Sequence, residues 1–186
     1  MSEVNRRIQM RENPNDIFLT PLSVALDHIN QVEEILQHNT GAEFVWVDPF
    51  RGPLGKKGVY YDNFVSEDRE WCEITQGRDA YHHNYNGKVV CSNPPFSHIT
   101  ALLKLMADGG AYCISLLIGQ MNVNPNRFKL MERKGYKLVH QSMRQVKGDN
   151  GSWYGPSCFV TWIRRTADNE DPQSPFLEGN STYDFS

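Results

Sequence analysis

Residues 88–119 read KVVCSNPPFSHITALLKLMADGGAYCISLLIG, and their order decides the architecture. Lys88–Ser92 is a short apolar run that halts at Asn93-Pro94-Pro95. Two consecutive prolines fix φ and remove two amide donors, so the chain leaves the ladder extended. Ser97–Ala107 then repeats apolar residues at helical spacing, and Gly109-Gly110 closes it. Ala111–Gly119 is a second apolar strand. Strand, helix and strand in immediate succession predict a parallel α/β sheet.

The same alternation extends to both sides. Upstream, Thr20 precedes Pro21 and is pushed away from helix, which makes it a candidate cap with Pro21 at the first helical position. Leu22, Ala25, Leu26, Ile29, Val32, Ile35 and Leu36 follow at helical spacing, up to Asn39–Gly41. Phe44–Val47 is a short apolar strand running into a turn-rich loop, DPFRGPLGKKG, and Trp71–Thr75 is a further strand candidate. Downstream, Pro125–Lys134 is a helix ended by Gly135. Tyr136–Gln145 and Ser157–Arg164 are strands joined by a loop holding GDNGSWYGP, which predicts an antiparallel hairpin at the C-terminal end of the sheet. The expected organisation is a leader over 1–15, one domain over 16–165 and an acidic, disordered tail over 166–186.

Composition narrows the class. The chain has 186 residues, 39% of them apolar, and no apolar run approaches the ~20 residues of a membrane span. The polar Met1–Asn15 holds no signal-peptide core, so a soluble intracellular protein, cytoplasmic or nuclear, is expected. Cys72, Cys91, Cys113 and Cys158 form no CxxC, and the last three sit in apolar runs, as buried free thiols do. His82-His83 has no third ligand nearby, and no metal is expected. The net charge is −3, unevenly placed. Residues 166–186 hold five acids and no Lys or Arg, whereas 127–147 holds Arg127, Lys129, Arg133, Lys134, Lys137, Arg144 and Lys147 against Glu132 alone. A basic stretch on a near-neutral body suits a phosphate backbone, and equally a solvated helix face.

The chemistry concentrates at Ser92-Asn93-Pro94-Pro95-Phe96. The side-chain oxygen of Asn93 and the carbonyl of Pro94 are two adjacent acceptors, able to grip both hydrogens of one NH2 group. An exocyclic amino nitrogen is poorly nucleophilic because its lone pair is delocalised into the ring. Acceptors placed out of plane favour the pyramidal nitrogen of a methyl-transfer transition state. Phe96 supplies a flat face for a base to stack on.

SNPPF resembles the (Asp/Asn/Ser)-Pro-Pro-(Tyr/Phe/Trp) signature of the S-adenosylmethionine-dependent amino-methyltransferases, and its Asn form resembles the adenine-N6 enzymes. The resemblance implies a Rossmann-like methyltransferase fold, S-adenosylmethionine as cofactor, and Asn93, Pro94, Pro95 and Phe96 as the catalytic motif. It extends to four further segments. Asp48-Pro49-Phe50-Arg51-Gly52 resembles the family's cofactor loop, although Gly55 stands one place later than the family's second glycine; Asp48, Phe50 and Gly52 are implied cofactor contacts. Phe18-Leu19-Thr20-Pro21 is similar to the segment that closes over the methionine end, implicating Phe18, Thr20 and Pro21. In Gly77-Arg78-Asp79-Ala80-Tyr81, Asp79 is implied as the partner of the adenine amino group, with Glu73 a weaker match for the ribose. Trp153 and Tyr154 resemble the late aromatics that hold a flipped base, and Lys147 of the basic stretch joins them as a substrate-side candidate.

These segments occur in the family's order across residues 17–164, without a separate target-recognition domain, as in small solitary forms from phages and large viruses. The implied reaction is methylation of adenine N6 in nucleic acid, DNA favoured. Recognition is expected from a second copy or a partner subunit. RNA or a protein glutamine remain as other acceptors. The altered FRGPLG loop leaves one further alternative, an inactive relict that binds nucleic acid or a partner.

Overall fold

The computed structural model describes residues 20–40, 42–52, 58–147 and 153–166. The expected leader, Phe18, Gly55 and the tail beyond Thr166 lie outside the described residues. The chain runs α1 (Leu22–Asn39), β1 (Trp46–Asp48), β2 (Arg69–Trp71), β3 (Val89–Ser92), α2 (Ile99–Asp108), β4 (Cys113–Gly119), α3 (Pro125–Arg133), β5 (Tyr136–Lys147) and β6 (Trp153–Arg164). One six-stranded sheet has the order β2-β1-β3-β4-β6-β5. β1 pairs in parallel with β2 and β3, and β3 with β4. β6 is antiparallel to both β4 and β5. The expected α/β class, the parallel body and the C-terminal hairpin are all present.

Strand alternation divides the core into two layers. Val47, Val90, Ile114, Leu116 and Ile118 face Ile99, Leu102, Leu103 and Met106 of α2 and Met131 of α3. Trp46, Val89, Cys91 and Cys113 face Ala25, Ile29, Val32 and Leu36 of α1. β4 is buried on both sides because helices cover both of its faces. All four cysteines are buried and free. No helix among the described residues is long and apolar enough to cross a membrane.

Several boundaries differ from expectation. β1 lies at Trp46–Asp48 instead of 44–47, and β2 at Arg69–Trp71 instead of 71–75, because strands this short end where their partners end. Thr20 does not cap α1: Pro21 occupies the cap position and no side chain caps the helix, since the Thr20 hydroxyl is engaged by Asn93. β6 begins at Trp153, so Trp153–Pro156 are strand and not loop. Gly155, at φ 74°, marks the irregularity in its pairing with β5.

A polar network crosses the α1 layer where periodicity counted only apolar side chains. His28 is fully buried and stacks on Phe159 at a centroid distance of 4.3 Å. Its Nδ1 lies 3.0 Å from the Tyr60 hydroxyl and its Nε2 2.7 Å from Ser115 Oγ. Ser115 Oγ lies 2.7 Å from Thr161 Oγ1. Burial, helped by the nearby His140 and Arg144, lowers the His28 pKa to about 3 from an ordinary 6.5. The unfolded chain therefore takes up a proton that the folded chain refuses. The native state keeps its full advantage above pH 6.5 and loses it as the pH falls towards 3, by up to about 1.4 kcal/mol per unit. Melting curves from pH 8 to 4 should fall more steeply for the wild type than for His28→Asn, and parallel curves would contradict this.

Candidate active site

The sheet order makes β1 a turning point: the chain passes from β1 to β2 on one side, then returns to β3 on the other. Crevices form beyond the carboxyl ends of strands at such a point. Asp48 ends β1 and Ser92 ends β3, both 1% exposed, and the Ser92 hydroxyl donates to Asp48 Oδ1 at 2.6 Å. The same oxygen accepts the Phe50 amide at 3.1 Å, which bends the chain into the loop. Gly52 follows with φ 94°. A Cβ at Gly52 would meet no atom of the described residues within 4 Å, so the backbone conformation is what requires glycine there. Gly52→Ala should cost about 1–2 kcal/mol through backbone strain. It should also weaken binding of S-adenosylhomocysteine in a titration, and unchanged affinity would remove this loop from the cofactor site.

Asn93 leaves β3 partly buried, and its Nδ2 donates to Thr20 Oγ1 at 3.0 Å. Two segments separated by most of the first half of the chain thus meet. Pro94 is buried, and Phe96 opens a 3-10 turn, Phe96–His98, that leads into α2. Phe50, Tyr81 and Phe96 are partly buried against one core cluster. The Phe96 ring comes within 3.6 Å of where a Cβ at Gly119 would stand, which puts it beside the end of β4. A cleft of about 410 Å³ continues past Gly119, lined by Gln120, Met121, Val123, Gln141, Met143 and Cys158. The sequence reading missed this cleft, because only the pairing of β4, β6 and β5 brings its walls together.

Beyond β2, Glu73 is buried and accepts Thr75 N–H and Oγ–H. Asp79 accepts the Tyr81 amide at 3.0 Å as the cap of a short 3-10 turn, and contacts His82 at 3.3 Å. Burial, together with the negative field of Asp48 and Asp79, pushes the Cys72 thiol up to about 12. His83 Nε2 lies 2.9 Å from a Glu70 carboxylate oxygen. Arg51 and Arg78 both lie over Trp71, at 5.1 and 4.3 Å. Gly58 makes room for Arg51, whose Cγ would be 2.4 Å from a Cβ there.

The hairpin carries Lys147 and Trp153 as a cross-strand pair. β4 stops pairing at Gly119↔Ser157, whereas β5 and β6 run on to Lys147↔Trp153. Lys147, Trp153 and Tyr154 therefore stand on a ribbon overhanging the sheet on the side of Asn93. The basic stretch is not one uncommitted stripe. Arg127 bonds to Thr100 and Asn122, Lys134 to Asp108, and Arg144 approaches Asp27 at 3.7 Å.

No family model matches the chain, and no curated protein matches its sequence. Solved structures do resemble it in fold. One is a Pyrococcus horikoshii protein inferred to be an RNA methyltransferase, with a TM-score of 0.55 and 15% identity over 80% of this chain and 88% of that one. Another is magnesium protoporphyrin IX methyltransferase from Synechocystis PCC 6803 with bound S-adenosylmethionine, with a TM-score of 0.54 and 9% identity over 89% of this chain and 98% of that one. The same enzyme with S-adenosylhomocysteine gives 0.52 and 9%, over 87% and 94%. The fold is that of the Rossmann-like methyltransferases.

Proposed function

We propose that the chain is an S-adenosylmethionine-dependent methyltransferase acting on an exocyclic amino nitrogen, adenine N6 in nucleic acid, with DNA ahead of RNA. The observation that carries this reading is the meeting of Asn93 with Thr20 beside the Asp48–Ser92 tie, at the switch point of the sheet. The shared fold, and a neighbour of that fold with bound S-adenosylmethionine, support the cofactor. Thr20, Pro21, Asp48, Phe50, Gly52 and Asp79 would hold it, with Phe18 ahead of them and Glu73 at the end of β2. The left-handed Gly52 and the buried Asp48 fit that role. When bound, S-adenosylmethionine supplies an electrophilic methyl group on sulfur.

The protein's share is orientation and polar stabilisation. The Asn93 amide and the Pro94 carbonyl accept the hydrogens of the amine, Pro95 keeps the backbone extended, and Phe96 offers the ring a stacking face. Lys147, Trp153 and Tyr154 on the overhanging ribbon serve the nucleic-acid side. A second copy of the chain or a partner subunit supplies sequence recognition. The Pyrococcus neighbour, inferred to act on RNA, keeps RNA as the next acceptor to test.

Incubation with methyl-labelled cofactor and DNA, RNA or protein decides the acceptor. Label recovered from DNA as N6-methyladenine is expected. Label confined to RNA or to protein glutamine would overturn the choice of acceptor. The absence of transfer to any of them would favour the binding-module alternative.

A further inference from the structure

An asparagine amide offers a donor at one end and an acceptor at the other, and its terminal torsion is intrinsically broad. Only the carbonyl end can take a hydrogen from an amine, so a neighbour must choose which end faces the acceptor. Thr20 makes that choice by accepting Asn93 Nδ2–H at 3.0 Å. The Thr20 hydroxyl also bonds the Tyr60 hydroxyl. Tyr60 lies 3.0 Å from His28 Nδ1, His28 Nε2 lies 2.7 Å from Ser115, and Ser115 lies 2.7 Å from Thr161.

Burial keeps His28 neutral, so one ring nitrogen accepts and the other donates. With Nδ1 accepting from Tyr60, Nε2–H donates to Ser115, which can donate in turn to Thr161. The bonds continue from Asn93 to His28, and on from His28 to Thr161. Thr20 and His28 are also joined through α1, whose first turn is closed onto Pro21 O by Val24 and Ala25 N–H. Pinning His28 to the sheet thereby pins the hydroxyl that holds Asn93.

We propose that Tyr60 and His28 are positioning residues for the Asn93 amide, acting through Thr20 and turning its carbonyl end towards the acceptor amine. The presence of that amine rests on the methyltransferase reading, whereas the positioning rests on the bonds that run from Asn93 to His28 and on α1, which carries His28 and begins beside Thr20. The test uses the full chain, 15N-labelled, with Tyr60→Phe, Thr20→Val and Thr20→Ser. The Asn93 side-chain NH2 signals are assigned by their loss in Asn93→Ala.

Tyr60→Phe and Thr20→Val should shift or broaden that NH2 pair, and Thr20→Ser should restore it. In turnover, the first two should lower kcat roughly ten- to hundredfold, as misplaced groups do, with KM changed less than about threefold. Thr20→Ser, which keeps the hydroxyl, should recover most of the kcat that Thr20→Val loses. An NH2 pair unmoved by Tyr60→Phe would overturn the proposal. Equal effects of Thr20→Ser and Thr20→Val, tracking only a lowered melting temperature, would also overturn it. A shifted pair in a protein that transfers no methyl group would uphold the positioning and overturn the proposed function instead.

Discussion

Asn93→Ala should abolish methyl transfer while leaving the affinity for S-adenosylhomocysteine within a few-fold of wild type. The substitution removes the acceptor that stabilises the developing pyramidal amine, a loss of roughly 10²–10³ in kcat when a preorganised polar partner is deleted. It also frees the Thr20 hydroxyl from Nδ2–H, so it loosens the start of α1 without touching Asp48, Phe50 or Gly52. Asn93→Asp separates the two effects. It keeps an acceptor but has no hydrogen for Thr20, and it should fall between wild type and alanine. Single-turnover transfer and binding of the demethylated cofactor, measured on the same preparations, check both. Near-normal turnover of Asn93→Ala would show that the mechanism is wrong.

Asp48→Ala should be the more damaging change to the molecule as a whole. Asp48 is almost wholly buried and collects the Ser92 hydroxyl and the Phe50 amide on one oxygen. Its removal leaves both donors without that acceptor at the junction of β1 and β3. A cost of about 2–4 kcal/mol follows for a buried charged acceptor with two partners. The loop carrying Gly52 loses its anchor, so S-adenosylhomocysteine binding should fall by at least about a hundredfold, equivalent to roughly 3 kcal/mol. Asp48→Asn retains one acceptor and should lose less on both counts. Denaturant titration gives the stability and calorimetry the affinity. A destabilised Asp48→Ala that still bound the ligand normally would confine Asp48 to a structural role.

The parts of the fold legible in sequence were those in which local rules and tertiary packing agree. β3, α2 and β4 follow from two apolar runs, one helical period, and the Pro94-Pro95 and Gly109-Gly110 stops. β1 and β2 were displaced by a few residues because three-residue strands carry almost no periodicity of their own. Thr20 shows how a local rule yields to a distant partner: it has the chemistry and position of a cap, yet its hydroxyl serves Asn93. His28 shows the opposite failure. Its spacing from Ala25 and Val32 places it on the buried stripe of α1, but a polar residue is invisible to a count of apolar ones. The Ser92–Asp48 bond depends on β1 lying beside β3, which no local pattern states. Trp153–Pro156 looked like turn through its glycine and proline, whereas an extended partner, β5, recruits it into strand.

The central claim is that the crevice at the ends of β1 and β3 binds S-adenosylmethionine despite the unusual spacing of Gly52 and Gly55. Calorimetric titration of the folded chain with S-adenosylhomocysteine tests it most directly. The account predicts one site per chain with micromolar affinity, abolished by Asp48→Ala and retained in Asn93→Ala. A folded chain that takes up no ligand at millimolar concentration would contradict it and leave a methyltransferase fold used for binding alone.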